Sequence, residues 1–166
     1  MPPEGATWFV TQTWRPGLVI GHHDAGPYNA VWHDGRLVGF VDWDTAGPSP
    51  REVDLAFVAL SWVSLHARQV AQWHGFTAFD DRSRRLHLLL DVYGYGGDRS
   101  AFGTAVAARA RRHAAGIHRL AAGGDPMYVA LLPVAADFKQ AAREVEALPS
   151  SFWLRPNRSE YRRGPG

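Results

Sequence analysis

HHDAGPYN, residues 22–29, and VDWD, residues 41–44, set a histidine, spaced carboxylates and an amide around one short piece of chain. Gly26 and Pro27 make the first stretch a loop and not a helix interior. Between the two lie Ala30–Trp32 and Leu37–Val41, two β-rich runs separated by HDGR. Asp34–Gly35 at their centre is the strongest short hairpin signal, because a two-residue turn that matches strand twist needs positive φ at both positions. The hairpin brings Asn29, before its first strand, close to Asp42, after its second. That proximity follows from the turn alone.

Outward from the hairpin the chain reads as helical. Residues 1–17, rich in Pro, Gly and Thr, are an irregular lead-in, and Leu18–Ile20 delivers the chain through Gly21 into the loop. DTAGPSPRE interrupts regular structure. Ser49 as cap and Pro50 as first residue predict a helix to about Leu65, with apolar positions 53, 56, 57, 60 and 63 on one face. Asp80 or Asp81 opens a segment to about Tyr93, with Leu86, Leu89, Leu90 and Tyr93 inward. Asp98 or Ser100 opens a long Ala-rich helix to about Ala122, stopped by Gly123–Gly124. Asp125–Pro126 starts another to about Leu148, which Pro133 kinks or shortens. Residues 149–166, rich in Arg, Pro and Gly, read as a flexible tail. The expected architecture is α+β and mostly α, one domain over residues 1–148, with a hairpin followed by about four helices.

Composition narrows the function. The 166 residues contain no cysteine, which removes thiolate metal sites, a Cys nucleophile and disulfides. Basic and acidic residues nearly cancel, at 18 against 16, so nucleic acid is not an expected partner. The clusters Arg82–Arg85 and Arg109–Arg112 are expected as solvated helix faces. Lys139 is the only lysine and also reads as a solvated helix residue. The N-terminus lacks a basic segment followed by a long apolar run, and no stretch approaches a membrane span, so the expectation is a cytoplasmic protein without membrane contact.

Asp24, Asn29 and Asp42 together suit a divalent ion. Mg²⁺ takes hard oxygen ligands and keeps several waters, using one or two carboxylates plus substrate phosphates. Asn29 and Asp42 are candidate ligands, and Asp24 a candidate acceptor for a hydroxyl proton, which is the division of labour in phosphoryl transfer. Ordinary roles stand beside these: Asp24 as a turn cap, Asn29 as an Asx-turn residue, Asp42 as a strand-end acid, Asp44 as a solvated one. Adjacent His22 and His23 are expected to diverge, and Tyr28 and Trp32 to pack.

These residues carry a resemblance. HHDAGPYN resembles the H-x-D-x-x-x-x-N catalytic loop of the aminoglycoside phosphotransferase and choline kinase group, within the protein-kinase-like fold. VDWD resembles that group's metal motif, and Asp54-Leu55-Ala56 the D-L-A that follows it. Residues 14–66 are most similar to the bacterial subfamily that includes the trifolitoxin immunity protein. The resemblance implies Asp24 as catalytic base, Asn29 and Asp42 as Mg²⁺ ligands, and His22 and Asp54 as supports of the loop. It implies Mg²⁺ and ATP (or GTP) as cofactors, and a hydroxyl on a small molecule as phosphate acceptor. It also implies a C-terminal kinase-like lobe without the N-terminal lobe of strands that grips nucleotide, since only 21 residues precede the loop and none is lysine. Weak or absent activity of the isolated lobe is then expected, with some apolar surface left exposed, or covered by Trp8, Phe9 and Trp14, by a second copy or by a partner carrying the missing lobe. The alternative is a non-catalytic ligand-binding or immunity-type module. A Mg²⁺-dependent phosphoesterase using Asp24, Asp42 and Asp44 with His22 or His23 is a third reading, without a two-metal His/Asp set to support it.

Overall fold

The computed structural model of the chain describes residues 5–8 and 13–155. Phe9 and the expected tail from residue 156 lie outside them. Among the described residues the fold is α+β: two small antiparallel sheets followed by helices.

The first sheet pairs β1 (Val19–Gly21) with β4 (Gly47–Ser49). The second is the hairpin of β2 (Ala30–His33) and β3 (Arg36–Phe40). His33 pairs with Arg36 across Asp34 and Gly35, whose φ of +46° and +71° suit a two-residue hairpin turn. Register steps between Val31↔Gly39 and Trp32↔Leu37, so Val38 is an extra residue that twists the strand. The β4 strand was not expected. Its Gly-Pro-Ser carries no β preference, and its extended form comes from pairing with β1.

Helix α1 (Arg51–Trp62) starts after Pro50, which occupies the cap position. Ser49, expected as the cap, instead holds His23 Nε2 through its hydroxyl at 3.0 Å. A short α2 (Arg68–Trp73) follows, then α3 (Arg82–Tyr93). Asp81 stands at the start of α3, but its carboxylate pairs with Arg84 and caps no backbone N–H. The long α4 (Arg99–Ala122) is capped as expected, with the Asp98 carboxylate accepting from Ser100 N–H at 2.8 Å. Pro133 falls in the first turn of α6 (Leu132–Glu146), where its missing N–H costs nothing, so the expected single helix is divided into α5 (Pro126–Ala130) and α6.

The core lies where α1, α4 and α6 meet. Phe57, Leu60, Phe102, Val106, Ala110, Ala135, Phe138, Ala142 and Val145 are buried there. Alanines let α4 and α6 approach closely along their length. Residues 150–153, expected in the tail, form α7 (Ser150–Trp153), and Trp153 packs against Gly103 of α4. The Phe152 carbonyl accepts from the Ser83 hydroxyl and from His87 Nε2, which ties α7 to α3. No helix among the described residues is long and apolar enough to cross a membrane.

The hairpin is the least covered part. Tyr28, Trp32, Val38, Val41 and Trp43 are exposed around it, while Trp8 and Trp14 are half-buried. This matches the expected open apolar surface.

Candidate active site

The loop between β1 and β2 hangs from backbone bonds to residues distant in sequence. The Asp54 carboxylate, one turn into α1, accepts from the N–H of His22 at 3.3 Å and of His23 at 2.7 Å. His23 has φ +67°, a strained conformation that needs such anchoring. On the opposite side Trp62 Nε1 donates to the Ala25 carbonyl at 2.8 Å, and Arg109 Nη2 donates to the His23 carbonyl. The Thr45 hydroxyl donates to the His22 carbonyl at 3.0 Å.

His22 is buried under the hairpin's exit. Its Nε2 donates to the Val41 carbonyl at 2.9 Å, which fixes the tautomer and leaves Nδ1 to accept the Asp24 N–H at 3.3 Å. Its ring lies 4.5 Å from that of Trp43. His23 turns the other way, to Ser49, so the adjacent histidines diverge. Burial, and then the nearby Arg109, hold His23 below the usual imidazole range.

Asp24 is half-buried, with both carboxylate oxygens engaged. Tyr28 donates its hydroxyl to Oδ1, and Asn29 donates Nδ2 to Oδ2 at 3.1 Å and to the Asp24 carbonyl at 3.0 Å. Burial pushes Asp24 up from the ordinary carboxylate range, and these two hydrogen bonds pull it back. Desolvation where the Tyr28 hydroxyl meets the loop, and then Asp24, push the phenol up although most of the side chain is exposed, so it stays a donor. Gly26 permits this arrangement, because a Cβ there would lie 2.4 Å from the Tyr28 ring folded back over it. Tyr28, expected to pack, is 65% exposed and is a polar partner of Asp24. Trp32 is likewise exposed.

The hairpin brings Asn29 and Asp42 together as its turn predicts. Val41 N–H donates to the Asn29 carbonyl at 2.9 Å, and Asp42 is the next residue. Asp42 is exposed, with φ +62°, and its carboxylate makes no hydrogen bond or ion pair among the described residues. Both Asn29 bonds use its nitrogen, so its carbonyl oxygen is left out of them. Two uncommitted hard oxygens beside Asp24 fit a Mg²⁺ that completes its shell with water and phosphate. Among the described residues no cluster of three His, Cys, Asp or Glu side chains could hold a metal by itself. Asp44 is exposed and apart from these contacts.

Arg109 is the residue that reading the sequence missed. The cluster Arg109–Arg112 was expected as a solvated face, yet Arg109 is 7% exposed. Its guanidinium lies 4.8 Å from the Phe57 ring centre, reaches His113 Nδ1 at 3.3 Å and bonds the His23 carbonyl. Burial lowers its pKa to about 10. A signal was present: 109 follows Val106 by three and precedes His113 by four, on the inward stripe of α4. Among the other arginines read as solvated, Arg85 donates to the Trp62 carbonyl and is only half-exposed.

Residues 8–87 match the family model described as "Phosphotransferase enzyme family". Among curated proteins, the trifolitoxin immunity protein of Rhizobium leguminosarum bv. trifolii is 35% identical over 96 residues, covering 56% of this chain and 37% of that protein. The chain thus spans little more than a third of the length of that relative. No solved structure matches it. The matched segment holds the loop, the hairpin and Asp54 together, so the similarity to the phosphotransferase enzyme family covers the whole candidate site.

Proposed function

We propose that this chain is a kinase-like C-terminal lobe that serves Mg²⁺-ATP-dependent phosphorylation of a hydroxyl on a small molecule, weakly by itself. The observation that carries this reading is the juxtaposition of Asp24, held by Asn29, with the uncommitted Asp42 carboxylate on the same hairpin. Asn29 and Asp42 would hold the metal, which supplies charge neutralisation for the phosphates. Asp24 would accept the proton of the acceptor hydroxyl, and its raised pKa brings it toward the range of a working base. Asp54, Arg109 and Trp62 fix the loop, so the carboxylate is positioned before substrate arrives. The exposed aromatic face around the hairpin supports a partner, either a second copy or a polypeptide carrying a nucleotide-gripping lobe.

The test is a thermal melt with and without Mg²⁺-ATP, beside Asp42→Ala. A melt raised by Mg²⁺-ATP in the unmutated chain alone supports the metal-nucleotide site, since a ligand of the folded state stabilises it. A cooperative melt that does not move refutes nucleotide binding by this lobe alone.

A second reading is a non-catalytic ligand-binding or immunity-type module. One observation favours it: Tyr28 and Asn29 already occupy both oxygens of Asp24, and a base must open one of them to a substrate. The name of the relative from Rhizobium leguminosarum is compatible with it. Phosphate transfer that survives Asp24→Asn would remove Asp24 as base and this second reading with it.

A further inference from the structure

Helices α4 and α6 run antiparallel, and their outer edges form a ladder. Arg111 faces Glu146 at one end, and His118 faces Lys139 at the other. Ala115, small and central, floors a groove of about 580 Å³ between them, with Arg143 as its wall. Arg109 and Arg111 leave α4 in opposite directions, so this groove lies away from the loop that holds Asp24.

Two of its three cations have no carboxylate partner among the described residues. Arg111 is neutralised by a bidentate pair with Glu146. Lys139 has no carboxylate partner among the described residues and donates instead to His118 Nε2 at 2.9 Å. Arg143 donates only to the neutral Gln140 oxygen, at 3.0 and 2.6 Å. The other acids of α6 are turned elsewhere: Asp137 accepts from Gln69, and Glu144 from Arg68 N–H and Gln140. Lys139 and Arg143 also stand four apart on one helix, a like-charge spacing that costs helix stability.

We propose that the α4–α6 groove is a binding site for a small multiply charged phosphate anion, seated over Ala115 between Arg143, Lys139 and His118. Lys139 and Arg143 converge there as donors to phosphate oxygens, beside His118, whose Nε2 accepts from Lys139. The size and the small number of cations suit a free phosphate or diphosphate group and not an extended nucleic-acid backbone. The proposal is independent of any role for Asp24.

Inorganic pyrophosphate, with chelator present to exclude metal, is titrated into the full chain at constant ionic strength. The His118 ring resonances and calorimetry are followed. Saturable binding is expected, weakened about tenfold or more in Lys139→Gln/Arg143→Gln, because two charge-assisted hydrogen bonds are removed from exposed positions that do not threaten folding. Asp42→Ala is expected to bind as the unmutated chain does. The proposal is overturned if no saturation occurs, if the double variant binds equally, or if sodium chloride at matched ionic strength shifts the same resonances equally. Co-sedimentation with anionic vesicles without pyrophosphate binding overturns the free anion in favour of a headgroup.

Discussion

Two half-buried histidines packed beside Phe138 make stability fall with acid. The His113 ring lies 4.2 Å from that of Phe138 and stacks on Phe57, and the His66 ring lies 4.9 Å from Phe138. Burial first, and then Arg109, lower His113 from 6.5 to about 3. Burial lowers His66 from 6.5 to about 4. Both are therefore neutral in the folded state through a range where the unfolded chain takes up protons. Their neutral-state stabilisation is fully present above about pH 6.5 and is lost as pH falls from there toward the folded values. Each group costs about 1.4 kcal/mol per pH unit within that window, so from pH 6.5 to 5 the pair costs about 4 kcal/mol. That is a large share of the about 5–15 kcal/mol of a typical domain. Urea denaturation at pH 7 and pH 5 reads the loss. The double variant His66→Gln/His113→Gln should lose far less, because the side-chain amide introduced beside Arg109 offers it an acceptor without titrating. His23 and His87, also lowered by burial, leave a residual slope of the same sign. Equal stability at the two pH values, or the same loss in the double variant, refutes the reasoning.

Other consequences concern the loop and the α7 contact. Asp54→Ala leaves the N–H groups of His22 and His23 without their acceptor and should cost about 2–4 kcal/mol in urea denaturation, with Asp54→Asn losing about half as much. Tyr28→Phe removes a bond that favours the charged Asp24, so the Asp24 carboxyl should titrate at higher pH, as read by carbon-13 NMR; no change would mean the hydroxyl is spent on solvent. Gly103→Ala puts a Cβ 2.8 Å from the Trp153 ring and should cost about 1–2 kcal/mol by overpacking, despite the helix preference of alanine. In a Trp153→Ala background the same change should become neutral or stabilising by thermal melt.

Local chemistry was legible where it acts within a few residues. Asp34–Gly35 fixes the hairpin through φ, Asp98 caps α4, and Pro133 divides α5 from α6; each acts through its own backbone or its nearest neighbours. The strand Gly47–Ser49 was not legible, because its extension is imposed by a partner strand on the far side of the hairpin. Ser49 and Asp81 were read as caps, since their side chains fit that role. In the fold, His23 and Arg84 compete for them and win. The motif residues Asp24, Asn29 and Asp42 could be grouped from spacing. The Tyr28 bond to Asp24 could not, because it depends on a ring folding back over Gly26. Arg109 lay hidden in a basic run whose neighbours Arg111 and Arg112 are indeed exposed.

Arg109 also explains why a loop with a strained His23 keeps one shape. A buried guanidinium without a direct ion pair is costly, and its Nε has no hydrogen-bond partner among the described residues. The cost is offset only if its other donors hold groups that would otherwise be worse placed. Nη2 satisfies the His23 carbonyl, while Asp54 satisfies the His23 N–H from α1. The peptide groups on both sides of His23 are thus fixed by two helices that pack together in the core. Moving the loop would strand a carboxylate, a cation and three backbone groups at once. The backbone that leads into Asp24, one residue on, is therefore tied to the helical core, while Tyr28, Asn29 and the Val41-held His22 tie Asp24 itself to the two ends of the hairpin.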